Sequence, residues 1–143
     1  MAASDAAPGV TVLLVEDEPR NRALVRAVLS RAADERLRTA NVLEAPDVAS
    51  ARAYLDSGRS IGIILLDVRL PDGNGLELAG EIRERPSPPP ILVLSASVLP
   101  SERAAALRSG ADEFMGKPFR AHDLYDAMAR LLDSRVAGSS SPS

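Results

Sequence analysis

Short apolar runs recur along the chain, and each ends in polar or turn-forming residues. A run of this length that is rich in Val, Ile and Leu predicts a β-strand buried on both of its faces. One run is weaker and more polar than the others, as expected for a strand at the edge of a sheet. The predicted strands cover residues 10–15, a stretch within 38–44, 61–66, 91–94 and 111–115.

Amphipathic segments lie between these runs. Their apolar residues recur with the 3.6-residue period of an α-helix, and Pro or Gly marks several of their ends. The predicted helices cover about 20–33, 46–57, a segment around 76–82, 100–109 and the residues from 119 onward. The stripe of the first helix that is expected to face the core contains Leu24, Val25, Val28, Leu29 and Ala32.

The order of these elements indicates the class of fold. Five strands that alternate with five helices predict an α/β domain whose parallel sheet is covered by helices on both faces. The 143 residues are enough for one such domain. Because both ends of the chain are small and polar without apolar periodicity, we expect a flexible leader at 1–9, one folded domain at 10–135 and a disordered tail at 136–143.

Composition narrows the class of protein. The net charge is −3 and the aromatic residues are two Tyr and two Phe, so no basic or stacking surface for nucleic acid is indicated. The absence of cysteine excludes disulfides, thiolate catalysis and cysteine-based metal sites. No apolar segment approaches the ~20 residues that span a bilayer, and no signal-peptide pattern occurs, so we expect a cytoplasmic protein.

Polar residues suited to chemistry follow four of the predicted strands. Glu16 and Asp17 follow the first strand, Asp67 the third, Ser95 the fourth and Lys117 the fifth. The carboxyl ends of parallel strands meet at one edge of a sheet, where ligands collect. Lys117 is also the only lysine of the chain, which favours a specific role for a compact ammonium over a planar guanidinium.

These residue types together indicate phosphoryl chemistry with a metal. Three carboxylates in one place repel one another unless a cation joins them. An all-oxygen ligand set favours Mg²⁺, with Mn²⁺ as the alternative, and Mg²⁺ commonly shares its site with a phosphate. A carboxylate can accept a phosphoryl group as a nucleophile. We therefore expect Asp67 to be the nucleophile, and Lys117 and Ser95 to neutralise charge on the phosphoryl oxygens.

Simpler interpretations stay open for single residues. Asp67 alone suits a polar residue that merely ends a strand, and Lys117 alone suits an ordinary surface lysine. Phe114 is interpreted equally as a core residue or as part of a switch. His122, the only histidine, is interpreted as a surface or helix-capping residue, and the Arg-rich segment 31–38 as a solvated helix end.

Four motifs, in order and at ordinary spacing, resemble the receiver domain of two-component response regulators, as in the single-domain chemotaxis and phosphorelay regulators. Each motif is weak by itself, whereas the set of four is highly specific. The resemblance runs from about residue 10 to 132. The motifs are VLLVEDEP at 12–19, LLDVRLPDGNGLEL at 65–78, ILVLSA at 91–96 and GADEFMGKPF at 110–119.

The resemblance implies a fold and a metal site. The fold is a flavodoxin-like, doubly wound (βα)5 arrangement with a five-stranded parallel sheet in the order 2-1-3-4-5. Asp67 matches the phosphoacceptor of the family. Glu16, Asp17, Asp67 and the backbone carbonyl of Arg69 match the groups that hold Mg²⁺, with Asp17 as a direct ligand.

The resemblance also implies a switch. Ser95 matches the hydroxyl that turns toward the phosphoryl group, Lys117 matches the lysine that contacts it, and Phe114 matches the aromatic switch position. The Lys117–Pro118 peptide bond is expected to be cis. The chain departs from the family in having Ser instead of the commoner Thr at Ser95, and Phe instead of the commoner Tyr at Phe114.

A function and partners follow from the resemblance. A histidine kinase or a histidine phosphotransfer protein supplies the phosphoryl group. The face formed by the fourth helix, fifth strand and fifth helix then changes and regulates a protein partner. Such a domain catalyses only its own phosphorylation and dephosphorylation, and no contact with nucleic acid or membrane is expected. Whether the chain acts alone or as part of a larger regulator is left open.

Three other functions use part of the same pattern. Phosphohydrolases with an aspartate nucleophile also use Asp, Mg²⁺, Ser and Lys, but they typically have a second aspartate where this chain has Arg69. A flavodoxin-like cofactor binder is disfavoured by the scarcity of aromatic residues and by the lack of a phosphate-cradling loop after the first strand. A receiver that serves only as an interaction domain is disfavoured because every expected site residue is present.

Overall fold

A five-stranded parallel sheet forms the centre of the computed structural model, which describes residues 9–97 and 99–140, with only the backbone for 135–140. The neighbouring strands of the sheet follow the order β2-β1-β3-β4-β5, which confirms the predicted topology. The strands are β1 (Thr11–Val15), β2 (Asn41–Ala45), β3 (Ile63–Asp67), β4 (Ile91–Ser95) and β5 (Glu113–Gly116).

Four main helices connect the strands, and a fifth follows β5. They are α1 (Pro19–Ser30), α2 (Val48–Asp56), α3 (Gly75–Arg83), α4 (Pro100–Ser109) and α5 (Ala121–Ser140). Two shorter elements complete the fold: a one-turn helix at Glu35–Arg38, and an antiparallel ladder in which Arg69–Leu70 pairs with Gly73–Asn74.

The two ends of the chain compare differently with the prediction. Most of the predicted leader lies outside the described residues, as do residues 141–143 of the predicted tail. The backbone of α5 continues through Ser140 and so enters the segment 136–143, for which the sequence predicts disorder. A helix that is already formed adds one hydrogen bond for each further residue that it orders. The disorder of the tail stays a prediction.

The sheet separates two apolar cores. Alternate side chains of each central strand point to opposite faces, so a continuous apolar run supplies both cores at once. One core lies under α2, α3 and α4 and includes Leu13, Ile64, Leu66, Val93 and Phe114. The other lies under α1 and α5 and includes Val12, Leu14, Leu65, Leu92 and Met128.

The apolar stripe of α1 is narrower than predicted. Val25 and Leu29, four residues apart on one face, are buried. Leu24 leaves 49% of its surface exposed, so its assignment to the core is wrong. Successive residues of a helix point about 100° apart, and the side chain before Val25 is therefore turned away from the sheet.

The Arg-rich segment 31–38 is more ordered than a solvated helix end, which corrects that interpretation. Asp34 caps the one-turn helix by accepting a hydrogen bond from the Arg36 backbone N–H, and its carboxylate binds the Arg36 guanidinium. The same guanidinium reaches Asp133 of α5 at 3.0 Å. Arg38 donates to the carbonyl oxygens of Ala32 and Ala33. These arginines therefore bind neighbouring segments of this chain.

Candidate functional site

The polar residues at the strand ends surround one cavity of about 420 Å³ at the carboxyl edge of the sheet. β1, β3, β4 and the segment after β5 each deliver a functional group there, because parallel strands end on the same edge. The predicted site residues that line this cavity are Glu16, Asp17, Asp67, Arg69, Ser95 and Lys117. Phe114, the predicted switch residue, lies instead in the apolar core under α4 and is 7% exposed.

Three carboxylates converge in the cavity. One oxygen each from Glu16, Asp17 and Asp67 lies within 4.8 Å of the other two. Glu16 is buried, Asp67 is partly buried and Asp17 is exposed. Carboxylate oxygens are the ligands that Mg²⁺ and Mn²⁺ prefer, and the chemistry of this donor set therefore fits a hard divalent cation.

Lys117 links two of these carboxylates. Its Nζ lies 2.8 Å from Oε1 of Glu16 and 3.5 Å from Oδ2 of Asp67. The Lys117–Pro118 peptide bond is cis, which is the geometry that the resemblance implies. The ammonium is placed between a buried carboxylate and the candidate nucleophile, so a small displacement changes which of the two it contacts.

Glu16 is held firmly as an ionised carboxylate. It accepts hydrogen bonds from Lys117 Nζ at 2.8 Å and from the backbone N–H of Glu18 at 3.0 Å, and the nearby Asn21 side chain further favours the ionised form. Burial raises the pKa of Glu16, but these hydrogen bonds and the charge of Lys117 outweigh burial, so its pKa lies below the usual range. Glu16 is therefore a fixed negative charge, only 4% exposed, on the floor of the site.

The pKa of Asp67 is shifted in the opposite direction from that of Glu16. Burial raises the pKa of Asp67, and the neighbouring charge of Glu16 raises it further, against the lowering effect of Lys117. The net pKa lies above the usual range for an aspartate. Its ionised form is thus short of compensating positive charge, and a bound cation would supply it.

Ser95 is oriented by its own backbone neighbourhood. It is 4% exposed, and its Oγ accepts a hydrogen bond from the Ser97 backbone N–H at 3.1 Å. Its carbonyl oxygen accepts from the Lys117 backbone N–H at 2.8 Å. The hydroxyl and the lysine are therefore fixed relative to each other by the last hydrogen bond between neighbouring strands.

The segment after Asp67 folds back tightly over the strand end. The Gly75 backbone N–H donates to the Val68 carbonyl at 2.7 Å. A Cβ at Gly75 would lie 2.0 Å from the Asp67 carbonyl oxygen, so glycine is required for this approach. The antiparallel pairing of Arg69 with Asn74 keeps Arg69 at the mouth of the cavity, with its side chain exposed.

Two further residues of α1 contribute to the site, and sequence reasoning missed both. Asn21 lines the cavity and contributes to lowering the pKa of Glu16. Arg22 donates to the Glu16 backbone carbonyl. Their position in the sequence could have indicated this role, because residues in the first turn of a helix lie close to the loop that precedes it. His122, by contrast, is exposed and lies 3.3 Å from Asp123, away from the cavity.

None of the described helices combines the length and the apolar character that a membrane-crossing segment needs.

The sequence of this chain is similar to those of known proteins. Residues 12–129 match the family model described as the response regulator receiver domain. The chain is 36% identical over 127 residues to the transcriptional regulatory protein TcrA of Mycobacterium tuberculosis, covering 89% of this chain and 47% of TcrA. It is 36% identical over 132 residues to the KDP operon transcriptional regulatory protein KdpE of Escherichia coli, covering 92% of this chain and 54% of KdpE.

Another relative combines a similar region with a different output. The cyclic di-GMP phosphodiesterase response regulator RpfG of Xanthomonas campestris is 31% identical over 129 residues, which cover 89% of this chain and 33% of RpfG. The chain thus spans about half, or less, of the length of these curated relatives.

Solved structures share the fold. A CheY-like receiver domain protein from Methanospirillum hungatei superposes with a TM-score of 0.78 at 21% identity, covering 91% of this chain and 98% of that one. The signal receiver domain of a Luxo repressor protein from Vibrio parahaemolyticus gives 0.80 at 21% identity, covering 92% and 95%. Together with the match over residues 12–129, the site and the sheet topology show that the chain belongs to the response regulator receiver domain family.

Proposed function

We propose that this receiver domain accepts a phosphoryl group on Asp67 from a phosphohistidine of a sensor kinase or of a phosphotransfer protein, in a Mg²⁺-dependent reaction. One observation carries the proposal: Asp67 shares a single cavity with two further carboxylates, the ammonium of Lys117 and the hydroxyl of Ser95. The family is regulatory, and its members interact with histidine kinases and downstream effectors.

The transfer needs little covalent chemistry from the protein. An Asp67 carboxylate oxygen attacks phosphorus, a P–O bond forms as the P–N bond breaks, and the electron pair of that bond stays on the histidine nitrogen. Dephosphorylation is attack by water on the same phosphorus, which releases inorganic phosphate and restores the carboxylate. The domain thereby catalyses only its own modification.

The residues around Asp67 position the reacting groups and neutralise the charge on the phosphoryl oxygens. Glu16, Asp17, Asp67 and the Arg69 carbonyl would hold Mg²⁺, which neutralises charge on the phosphoryl oxygens when it is bound. Lys117, now 3.5 Å from Asp67, contributes a second positive charge beside the acceptor. Ser95 exchanges its present hydrogen bond with Ser97 for one to a phosphoryl oxygen.

The output of the switch is assigned to the face formed by α4, β5 and α5. α4 is weakly anchored, since Ala106 is the one buried residue among its ten, while Leu107 is 42% exposed. A phosphoryl group adds strong negative charge beside Ser95 and so biases the loop between β4 and α4. Phe114, packed between the sheet and α4, is the residue that such a movement repacks.

The partner downstream is a protein or an output domain of a longer chain. Two relatives are named as transcriptional regulators and one as a phosphodiesterase, and the matched region makes up about half of each relative or less. Direct nucleic-acid binding is not assigned to the receiver region itself. A cytoplasmic location is consistent with a phosphohistidine donor.

Phosphorylation by a small acyl phosphate tests the proposal directly. Incubation with Mg²⁺ is expected to add one phosphoryl group, measured by intact mass, and the addition is expected to vanish in Asp67→Ala and with a chelator. Asp126→Ala, which removes an exposed carboxylate on α5, is the matched control and should be modified normally. An unmodified wild type overturns the proposal, and multiple turnovers on a phosphomonoester indicate a phosphohydrolase instead.

A further inference from the structure

Arg22 contacts the segment that follows β1 but does not line the cavity. Its NH1 donates to the Glu16 backbone carbonyl at 2.8 Å, and its Nε donates to Oε1 of Glu44 on β2 at 3.0 Å. Its side chain is only 18% exposed. The other oxygen of Glu44 accepts from Arg26 NH1, also at 3.0 Å. One guanidinium therefore joins the end of β1 to the neighbouring strand.

The contacted carbonyl belongs to the peptide unit between the two acidic residues. Its oxygen is that of Glu16 and its N–H is that of Asp17, so the orientation of this planar unit constrains the backbone from which both side chains project. The Glu16 N–H extends the β1–β2 ladder by donating to the Ala45 carbonyl at 3.0 Å. Beyond that bond the chain leaves the sheet, and Arg22 fixes the peptide that follows.

Glu44 makes this arrangement compatible with cation binding. A free guanidinium next to three carboxylates would compete electrostatically with a divalent cation for them. Glu44 pairs with the largely buried Arg22 and so offsets its charge. Arg26 contacts the second oxygen of Glu44, but Arg26 is half exposed and solvent screens its charge.

We propose that Arg22 is a positioning residue of the cation site, which orients the Glu16–Asp17 peptide, and that Glu44 holds Arg22 and neutralises it. The inference rests on the proposed function in one respect, namely that the acidic cavity binds a divalent cation. Mutation of groups that orient metal ligands commonly lowers metal affinity strongly, although these groups do not contact the metal themselves.

Mn²⁺ binding to the whole chain, measured by the electron paramagnetic resonance of free Mn²⁺, tests this role. Arg22→Met is expected to raise the dissociation constant on the order of tenfold. Arg26→Met is the matched control, because it also removes an arginine from Glu44 but leaves the Glu16 carbonyl bonded, and its affinity should stay close to wild type. Arg22→Lys, which keeps one donor, is expected to restore part of the affinity.

Glu44→Gln provides a second variant should Arg22→Met fail to fold. It keeps an oxygen acceptor for Arg22 but leaves the guanidinium charge unbalanced, and we expect weaker Mn²⁺ binding, most clearly at low salt. Wild-type affinity in a folded Arg22→Met or in Glu44→Gln overturns the positioning role. Absence of Mn²⁺ binding by the wild type instead overturns the cation site, so the two failures are distinguishable.

Discussion

At the scale of residues, the site consists of carboxylates in unequal environments. The Glu16 carboxylate accepts two hydrogen bonds and its pKa is lowered, whereas the pKa of Asp67 is raised because burial and the charge of Glu16 outweigh Lys117. Lys117 lies closer to Glu16 than to Asp67, by 2.8 Å against 3.5 Å. Of these two carboxylates, Asp67, the proposed phosphoacceptor, is thus the one whose negative charge is less well compensated.

The raised pKa of Asp67 predicts how stability depends on pH. Burial, with a smaller contribution from Glu16, makes the folded state hold this proton more tightly than the unfolded chain does. The stability that results is present below the unfolded pKa of about 3.9 and is lost as pH rises through the folded pKa. Asp67→Asn is therefore expected to be more stable than wild type at pH 7 without divalent cations.

Urea unfolding at a series of pH values measures this difference. It should shrink as the pH falls toward about 4, where Asp67 of the wild type is itself becoming neutral. Asp126→Asn is the control for loss of an exposed carboxylate. Equal stability of Asp67→Asn and wild type at pH 7, or a difference that grows in acid, would contradict the assigned environment.

At the scale of elements, the hairpin after β3 connects the site to α2. Asp72 accepts hydrogen bonds from the backbone N–H groups of Val48 at 2.7 Å and Ala49 at 3.0 Å. α2 also has its own N-cap, Asp47, which accepts from Ser50 at 2.8 Å. Two carboxylates thus satisfy the free N–H groups of one helix end, and only one of them belongs to that helix.

Removal of this second cap should loosen α2 and the hairpin together. Asp72→Ala is expected to lower the thermal midpoint by a few degrees, since the Val48 and Ala49 N–H groups lose their acceptor. The pKa of Asp72 is lowered, first by the Val48 N–H, so its contribution is present above the unfolded pKa of about 3.9 and lost as pH falls through the folded pKa. The deficit of Asp72→Ala should therefore disappear in acid.

Asp72→Asn separates the two parts of this effect. Its side chain retains an oxygen acceptor without the charge and should restore part of the midpoint at pH 7. A midpoint of Asp72→Ala equal to wild type at pH 7 would show that Asp47 alone caps α2.

At the scale of the whole molecule, one sheet carries two cores and one site. The central strands are apolar on both faces, and the polar residues of the site lie at or just beyond their carboxyl ends. The site therefore shares its supporting strands with the entire core. Any ligand that binds there only in the folded state must stabilise the whole domain.

Mg²⁺ is accordingly expected to raise the unfolding midpoint of the domain at neutral pH. At about a hundred times its dissociation constant, a ligand specific to the folded state contributes about 2.7 kcal/mol. Thermal unfolding followed by circular dichroism, with NaCl at matched ionic strength, measures the effect. Asp17→Asn should lose most of it, and an equal rise in NaCl or in this variant would contradict a specific site.

Much of the fold was predictable because its signals are local. α4 begins at Pro100 and ends at Ser109 as predicted, since a helix-starting proline and Gly110, at φ 124°, mark its ends. The fifth strand begins two residues later than predicted, at Glu113. The Ala111 N–H is still bonded to the Ala106 carbonyl of the preceding helix, a contact that apolar character alone does not reveal.

Those residues of the candidate site that lie at strand ends were predictable from the sequence. Glu16, Asp17, Asp67, Ser95 and Lys117 follow runs that any parallel sheet would align, and the structure gathers them around one cavity. Asn21, Arg22 and Glu44 were not predictable in the same way. Each is an ordinary polar residue of a helix or an edge strand, and its role depends on what lies opposite in space.

By itself, the sequence determined the alternation of strands and helices, the two-faced sheet and the set of groups that meet at its carboxyl edge, because periodicity and strand ends are properties of neighbouring residues. Tertiary structure alone decided the partners. Lys117 binds Glu16 across 101 positions of the chain, and Arg22, which also contacts Glu16, binds Glu44 across 22 positions. Such pairs depend on strand order and helix rotation, which follow from packing the whole chain around both cores.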